Sequence, residues 1–418
     1  MTQVKRLALI TAILFLGIAA MAANLDQLYF MATTLLVLPV VSLLVGWMNL
    51  RGLQFERLTP SVAWEGETVP FTLICRSYSR TPKLLLRAAD IGARWIEPED
   101  ASVVFNARPG AETRVEYGVR MRKRGVHRID GLRVCATDPL GLWSFARTYS
   151  VPSEVLVYPR PQRIPNVLLT GAERFGYRDM PIDAARGAGV DFDGVREYAP
   201  GDPLRRMHWK SYARTGRLNL VEFEESRAVN LTLALDVQQG TNIGQDADTP
   251  FEVLIRAAAS IAQLGIRQGA SVRLVAGDGA DPANAGGRGT DHLFTILSCL
   301  ARAEATDPEP FAARLVERVG RVPAGTSLIA FTSTMDPELL ASLLYYTSAG
   351  AHTLLVYADP RSFAKTGRLP SPDEQATFLR SVASIGCVPL MVGRRPDGAF
   401  DLQQVQETGI GPILSSGA

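Results

Sequence analysis

The sequence predicts a multidomain protein: an N-terminal transmembrane helical hairpin, an all-β sandwich-like middle domain, and a C-terminal α/β domain with a mainly parallel sheet. Three observations predict it. Residues 7–23 and 28–50 carry no charge. From residue 55 to about residue 160 the apolar pattern has period two. From residue 229 onward, continuous apolar runs alternate with segments of helical spacing.

The 418 residues suffice for two or three domains, and an apolar share of 47% with 21% charged residues is ordinary for folded protein. A net charge of +2 recruits neither nucleic acid nor an acidic substrate. The four cysteines, Cys75, Cys135, Cys299 and Cys387, show no CxxC pair and are read as reduced, mostly core thiols.

Each charge-free stretch approaches the ~20 apolar residues that cross a bilayer. Lys5 and Arg6 precede the first, and Arg51 and Arg57 follow the second. Basic outer flanks put both chain ends in the cytoplasm, joined by a short external turn. A signal peptide is the competing reading, because residues 20–23, "AMAA", resemble a cleavage site. Either way the remainder faces the cell interior, at the inner membrane, with the lipid bilayer as the first partner.

Residues 51–165 then read as strands. In "TRVEYGVRMR" Val115, Tyr117, Val119 and Met121 alternate with polar or small residues, and "TVPFTLICRS" repeats the pattern. Further strands are expected around Leu84, Val103, Leu132 and Val155, with turns at "RPG" and "DPLG". His127, in the basic stretch "RKRGVHR", is expected in a solvated loop.

From residue 229 to the end, strands are expected in "VNLTLALDV", "SVRLVAG", "TSLIAFTS", "HTLLVYA" and "CVPLMV". Helices are expected over 251–267, 292–303, 310–319, 337–349 and 373–384. Ligands of such sheets bind beyond the C-terminal strand ends, which makes Asp236 in "LDVQQG" a site candidate.

The usual catalytic motifs are missing. There is no P-loop, HExxH or GxSxG pattern, and "GAGVDFDG" lacks the third glycine of a dinucleotide loop. His208 and Ser211 share a helix face, but a Ser–His pair without an orienting group or oxyanion hole is a poor hydrolase.

Residues 166–228 hold the densest chemistry, in "FDGVREYAPGDPLRRMHWKSYARTGRL" (192–218). Pro200-Gly201 suits a type II turn, and Asp202-Pro203 reads as an N-cap and first helical residue. Residues 204–213 form a short helix in this reading, which Gly216 stops. "RLNLVEFE" follows as a strand. Acids and bases balance across the segment, so no uncompensated positive charge is left for nucleic acid. Two readings stand: an ion-pair and capping network around Glu197, Asp202 and Arg206, or a docking surface built on Trp209 and Tyr212, a composition typical of interface hot spots.

These residues resemble a bacterial family catalogued as domain of unknown function fifty-eight. Its hallmark is a phrase like "REYxPGDPxRxIHWKxxARTGxLxVKEFE". It is matched here by Arg196, Glu197, Tyr198, Pro200, Gly201, Asp202, Pro203, Arg206, His208, Trp209, Lys210, Ala213, Arg214, Thr215, Gly216 and Leu218, then Glu222, Phe223 and Glu224. The membrane hairpin, the strand-rich domain with its "DPLGL" turn and the α/β domain fit the same family. The resemblance implies a von Willebrand factor A-like fold for 229–418. It also implies association with MoxR-type AAA+ ATPases in systems that assist assembly or maturation of other proteins. It brings no catalytic residues.

Two positions depart from the pattern. Val221 stands where a Lys is common. The metal-adhesion signature Asp-x-Ser-x-Ser is reduced to Asp236, with Gln238 and Gly240 in place of the hydroxyls. Asp336, after the later strand end, is the other remnant. An oxygen-only Mg²⁺ site needs several well-placed ligands, so no metal or other cofactor is expected. The expectation is a non-enzymatic membrane scaffold; the alternative is a metal-dependent hydrolase using Asp236 and the Asp278–Asp281 loop.

Overall fold

The computed structural model describes residues 2–92, 96–98, 102–164, 191–197, 209–216, 218–224, 230–240, 248–277, 281–363, 369–394, 400–406 and 409–412. The chain divides into two units, Met1–Arg160 with Leu300–Ala303, and Pro161–Cys299 with Glu304–Ala418.

The first unit opens with helices α1 (Thr2–Ala23) and α2 (Asp26–Asn49), both long and apolar enough to cross a membrane. Asn24, in the tight turn between them, takes a positive φ of 41° that asparagine tolerates. Large apolar side chains such as Phe15 and Phe30 point outward, about three-quarters exposed. The hydroxyls of Thr11, Thr33 and Thr34 donate to carbonyls one turn back, at 2.8–3.1 Å, so none is left wanting water.

Among the described residues nine strands follow: β1 (Leu53–Leu58), β2 (Val62–Trp64), β3 (Thr68–Ser77), β4 (Lys83–Ile91), β5 (Ile96–Pro98), β6 (Val103–Ala107), β7 (Glu112–Met121), β8 (Gly125–Thr137) and β9 (Ser144–Tyr158). They form a sheet β1-β3-β7-β5 and a sheet β2-β9-β8-β4-β6, antiparallel except for the β2–β9 pair. The period-two residues supply the cores. Leu53, Leu73 and Cys75 of the first sheet cluster with Leu86, Phe105, Leu132 and Val134 of the second. Phe71, Val119 and Met121 likewise cluster with Ile129, Val155 and Val157. Between these clusters lies a buried charged network. Arg57 pairs with Asp90 at 2.5 Å, and Tyr117 donates to the other Asp90 oxygen at 2.8 Å. Arg57 also donates to the Val151 and Gly131 carbonyls, as a charge taken from water requires.

His127 corrects the sequence reading. It lies on β8, is 8% exposed, and its Nε2 is 2.6 Å from the Lys123 carbonyl. Burial lowers its pKa, against the opposing effect of that hydrogen bond. Arg128, next along the strand, is exposed while the ring packs inward, a division that alternation permits but local charge hides.

The strand-rich domain also grips α2. Ser42, Gly46 and Asn49, spaced three or four apart on one helix face, are buried. Ser42 donates to Asp138 at 2.5 Å. A Cβ at Gly46 would stand 2.8 Å from the Phe145 ring and 3.0 Å from Asp138. Asp138 belongs to the "DPLGL" turn, where Gly141 N bonds to its carbonyl at 2.9 Å with φ +66°. Burial works to raise the Asp138 pKa, but hydrogen bonds from Ser42 and from the Trp143, Leu140 and Leu142 amides prevail and lower it.

In the second unit, β10 (Asp191–Glu197), α3 (Trp209–Thr215) and β11 (Asn219–Glu224) come first, with β10 and β11 antiparallel. The α/β part follows as β12 (Asn230–Leu235), α4 (Pro250–Arg267), β13 (Ser271–Val275), α5 (Gly289–Arg302), α6 (Phe311–Val319), β14 (Ser327–Thr332), α7 (Pro337–Ser348), β15 (His352–Ala358), α8 (Pro372–Ser384), β16 (Val388–Arg394), β17 (Phe400–Gln406) and β18 (Gly409–Pro412). The sheet order is β13-β12-β14-β15-β16-β17-β18. Neighbours from β13 to β16 are parallel, and β17 and β18 add an antiparallel end absent from the sequence reading. Helices α4, α7 and α8 start on Thr249, Asp336 and Ser371, each followed by proline, and each cap accepts a first-turn amide.

All four cysteines are free thiols. Cys75 and Cys387 are buried, and burial pushes their pKa up to about 11 and about 12. Cys135 and Cys299 are only partly covered, so the core reading holds for two of the four.

Candidate functional site

Two places in the second unit gather the residues that the sequence singles out. The first is the segment from β10 to β11. Arg196 and Glu197 lie at the end of β10, paired across the ladder with Leu220 and Asn219. Tyr198, Gly201, Asp202, Arg206 and His208 lie outside the described residues, as does the proposed turn and cap. Helix α3 carries Trp209, Lys210 and Arg214, and it ends at Gly216. There φ is +70° and the amide bonds to the Tyr212 carbonyl at 2.9 Å, the left-handed stop expected of glycine.

Trp209 is 60% exposed and Tyr212 42% exposed. Three residues apart on one helix, their rings meet edge to face, with centroids 6.3 Å apart and planes at 86°. Arg214 and Leu218, later in the same segment, are also exposed. Trp209 and Tyr212 are an aromatic pair left in water. Trp209 is not a core residue.

The second place is the C-terminal edge of the sheet. From β12 the chain passes to β13 on one side and later to β14 on the other, so the order of connections reverses between β12 and β14. Asp236 follows β12 at this point and is 2% exposed. Its Oδ2 accepts from Thr332 Oγ1 at 2.6 Å and from Thr334 Oγ1 at 3.4 Å; its Oδ1 accepts from Gln238 N at 2.9 Å. Burial raises its pKa, the three hydrogen bonds oppose that, and the nearby Asp307 charge adds to the rise.

The remaining metal-signature positions serve structure. Gln238, where a hydroxyl would stand, offers its side-chain oxygen to Phe311 N at the start of α6, at 3.3 Å. Asp336 caps α7 through Glu338 N at 2.9 Å. Asp307, which is not one of those positions, pairs with Arg318. Among the described residues no three His, Cys, Asp or Glu side chains group as metal ligands would. Of the Asp278–Asp281 loop only Asp281 is described. The sequence reading missed Thr332 and Thr334 as partners of Asp236. Both stand in the segment "FTSTMD", which ends on Asp336.

Comparison with known proteins singles out the same region. Residues 194–335, from β10 through β14, match the family described as "Protein of unknown function DUF58". Over that stretch the chain is similar to the DUF58 family. The uncharacterized protein YeaD of Bacillus subtilis (strain 168) is 29% identical over 199 residues, covering 46% of this chain and 47% of YeaD. The chain thus matches about half the length of that relative. Among solved structures, native alpha-2-macroglobulin from Escherichia coli is 18% identical, covering 27% of this chain and 20% of its own, with a TM-score of 0.21. The FixG-related protein of Vibrio parahaemolyticus is 8% identical, covering 26% and 98%, with a TM-score of 0.19. Scores this low assign no fold to this chain.

Proposed function

We propose that this DUF58 protein is a non-catalytic scaffold of the inner membrane, anchored by two passes with both ends in the cytoplasm. In this reading a sandwich-like middle domain carries a von Willebrand factor A-like domain, which docks a protein partner during the assembly or maturation of other proteins. The partner is a MoxR-type AAA+ ATPase, as the family resemblance implies. The protein works without a cofactor and does not bind nucleic acid.

The observation that carries the docking reading is the exposed Trp209–Tyr212 pair on α3. Large aromatic rings left in water contribute nothing to folding and much to association. The test uses the full chain in detergent and a purified MoxR-type ATPase from the same organism. Trp209→Ala is expected to weaken binding by at least ~2 kcal/mol, about thirtyfold, with the melting temperature unchanged. Unchanged affinity, or a clear fall in melting temperature, would defeat the assignment.

A second reading, a metal-dependent hydrolase, is favoured by one fact: Asp236 lies where the strand order reverses, the usual place for a ligand in open α/β sheets. Against it, both Asp236 oxygens already accept protein hydrogen bonds. Calorimetric titration of the full chain with Mg²⁺ separates the two. A tight isotherm lost in Asp236→Ala would favour the hydrolase.

A further inference from the structure

The last two turns of α2 have two different faces. One is buried against the strand-rich domain through Ser42, Gly46 and Asn49. The other leaves Leu44, Trp47 and Met48 exposed at 44–51%. The Arg51 guanidinium lies over the Trp47 ring, 3.4 Å from its centroid. A Trp with a stacked Arg at the end of an apolar helix is the composition of a membrane–water boundary.

Beside this helix end run the connection from β3 to β4 and the start of β4. Tyr78 N bonds to the Gly52 carbonyl at 2.8 Å, Asn49 Nδ2 to the Leu84 carbonyl at 3.4 Å, and Lys83 Nζ to the Met48 carbonyl at 2.5 Å. Yet Tyr78, Leu84 and Leu85 are 67%, 54% and 65% exposed. Two adjacent leucines outward breaks strand alternation. A bulge makes it so: pairing of β4 with β6 shifts between Lys83 and Leu86, and Leu85 takes a φ of +55°. Leucine avoids that conformation, and here the Asn106 side chain holds it by accepting from Leu85 N at 2.7 Å. Lys83, by contrast, turns inward and is 1% exposed. From Ser77 to Ala89 the chain has Arg80, Lys83 and Arg87 and no acid.

We propose that Tyr78, Leu84 and Leu85 form a third bilayer contact, seated at the headgroup–acyl boundary of the leaflet through which α2 leaves. The proposal rests on the membrane-anchored reading of α1 and α2. The level follows from the helix: at 1.5 Å per residue, Trp47 is about 3 Å along the axis from Asn49, whose side chain reaches Leu84. Leucines at that level meet acyl chains, Tyr78 suits the boundary, and the exposed Arg80 suits anionic headgroups. The bulge then has a role, since regular alternation would bury one of the two leucines.

The test is photolabelling of the full chain, reconstituted into vesicles of phosphatidylcholine and phosphatidylglycerol. The probe is a phosphatidylcholine with a carbene-generating group near the glycerol end of one acyl chain, and adducts are mapped by mass spectrometry. The expected result is label on α2 and on Leu84 or Leu85. The double variant Leu84→Ser, Leu85→Ser loses the second site by at least tenfold and keeps the first. Label on α2 with none on 78–85 overturns the proposal and leaves the anchor intact. Label on neither overturns the anchor as well. Strong marking of 84–85 by a water-soluble carbene reagent places the patch in solvent and also overturns it. So does protection from both reagents that disappears in single-copy nanodiscs, which assigns the patch to a second copy of the chain.

Discussion

Asp236 is a carboxyl group whose surroundings favour its neutral form. Burial raises its pKa, and hydrogen bonds from Thr332, Gln238 and Thr334 offset this only in part. For an acid whose folded pKa is raised, the associated stability is complete below the unfolded value and is lost as pH climbs through the folded one. The neutral isostere Asp236→Asn should escape that loss. Hydrogen exchange of the full chain, read on the peptide spanning β12, is expected to show wild-type protection falling relative to the variant from pH 4 to pH 8. Protection that instead rises in the wild type relative to Asp236→Asn would mean that the charge is welcome there. The position of Asp236 was legible in the sequence, because an apolar run ends on it. Its partners were not, since Thr332 and Thr334 stand 96 and 98 residues away and only the closed sheet brings them together. His127 shows the opposite limit: Lys123, Arg124 and Arg128 disguise a buried ring.

Elements were legible where one period dominates. The alternating strands β3 and β7 and the apolar strands β12, β14 and β15 declare themselves through burial on one face or on both. Strands β10 and β17, with the sequences DFDGVRE and FDLQQVQ, have neither pattern and were missed. Their pairing comes from neighbours, β11 for one and β16 with β18 for the other. Helix α2 was legible as a span but not as a packing surface, because its buried face is small and polar. Gly46 lets the "DPLGL" turn approach. Gly46→Leu should therefore cost about 1–3 kcal/mol, the range for overpacking a close contact. Thermal unfolding of the strand-rich domain in detergent-solubilised full chain would register it as a lower midpoint. An unchanged midpoint would mean that the contact yields freely.

At the scale of the molecule, the proposed topology, with both ends on one side of the membrane, rests on charge-free spans with basic outer flanks. A fluorescent reporter fused after Ala418 is expected to glow as cytoplasmic proteins do, and an alkaline phosphatase at the same place to stay inactive. Strong phosphatase activity would reverse the topology and move the docking surface outside the cell. The whole was legible as an ordered series of parts. What the sequence did not disclose is that the hairpin and the strand-rich region fall in one unit. That follows from single side chains such as Arg6, which donates to the Leu142 carbonyl at 2.7 Å across 136 residues.

The junction after α2 bears on how the protein comes to be made. The Lys83 ammonium and the Tyr149 hydroxyl reach back to the Met48 and Leu50 carbonyls, so the anchor supplies acceptors to a domain translated after it. A chain begun at Arg51 would leave the Lys83 ammonium and the Tyr149 hydroxyl without these acceptors. Trimming away the membrane segment to obtain a soluble fragment therefore removes part of the fold along with the tether.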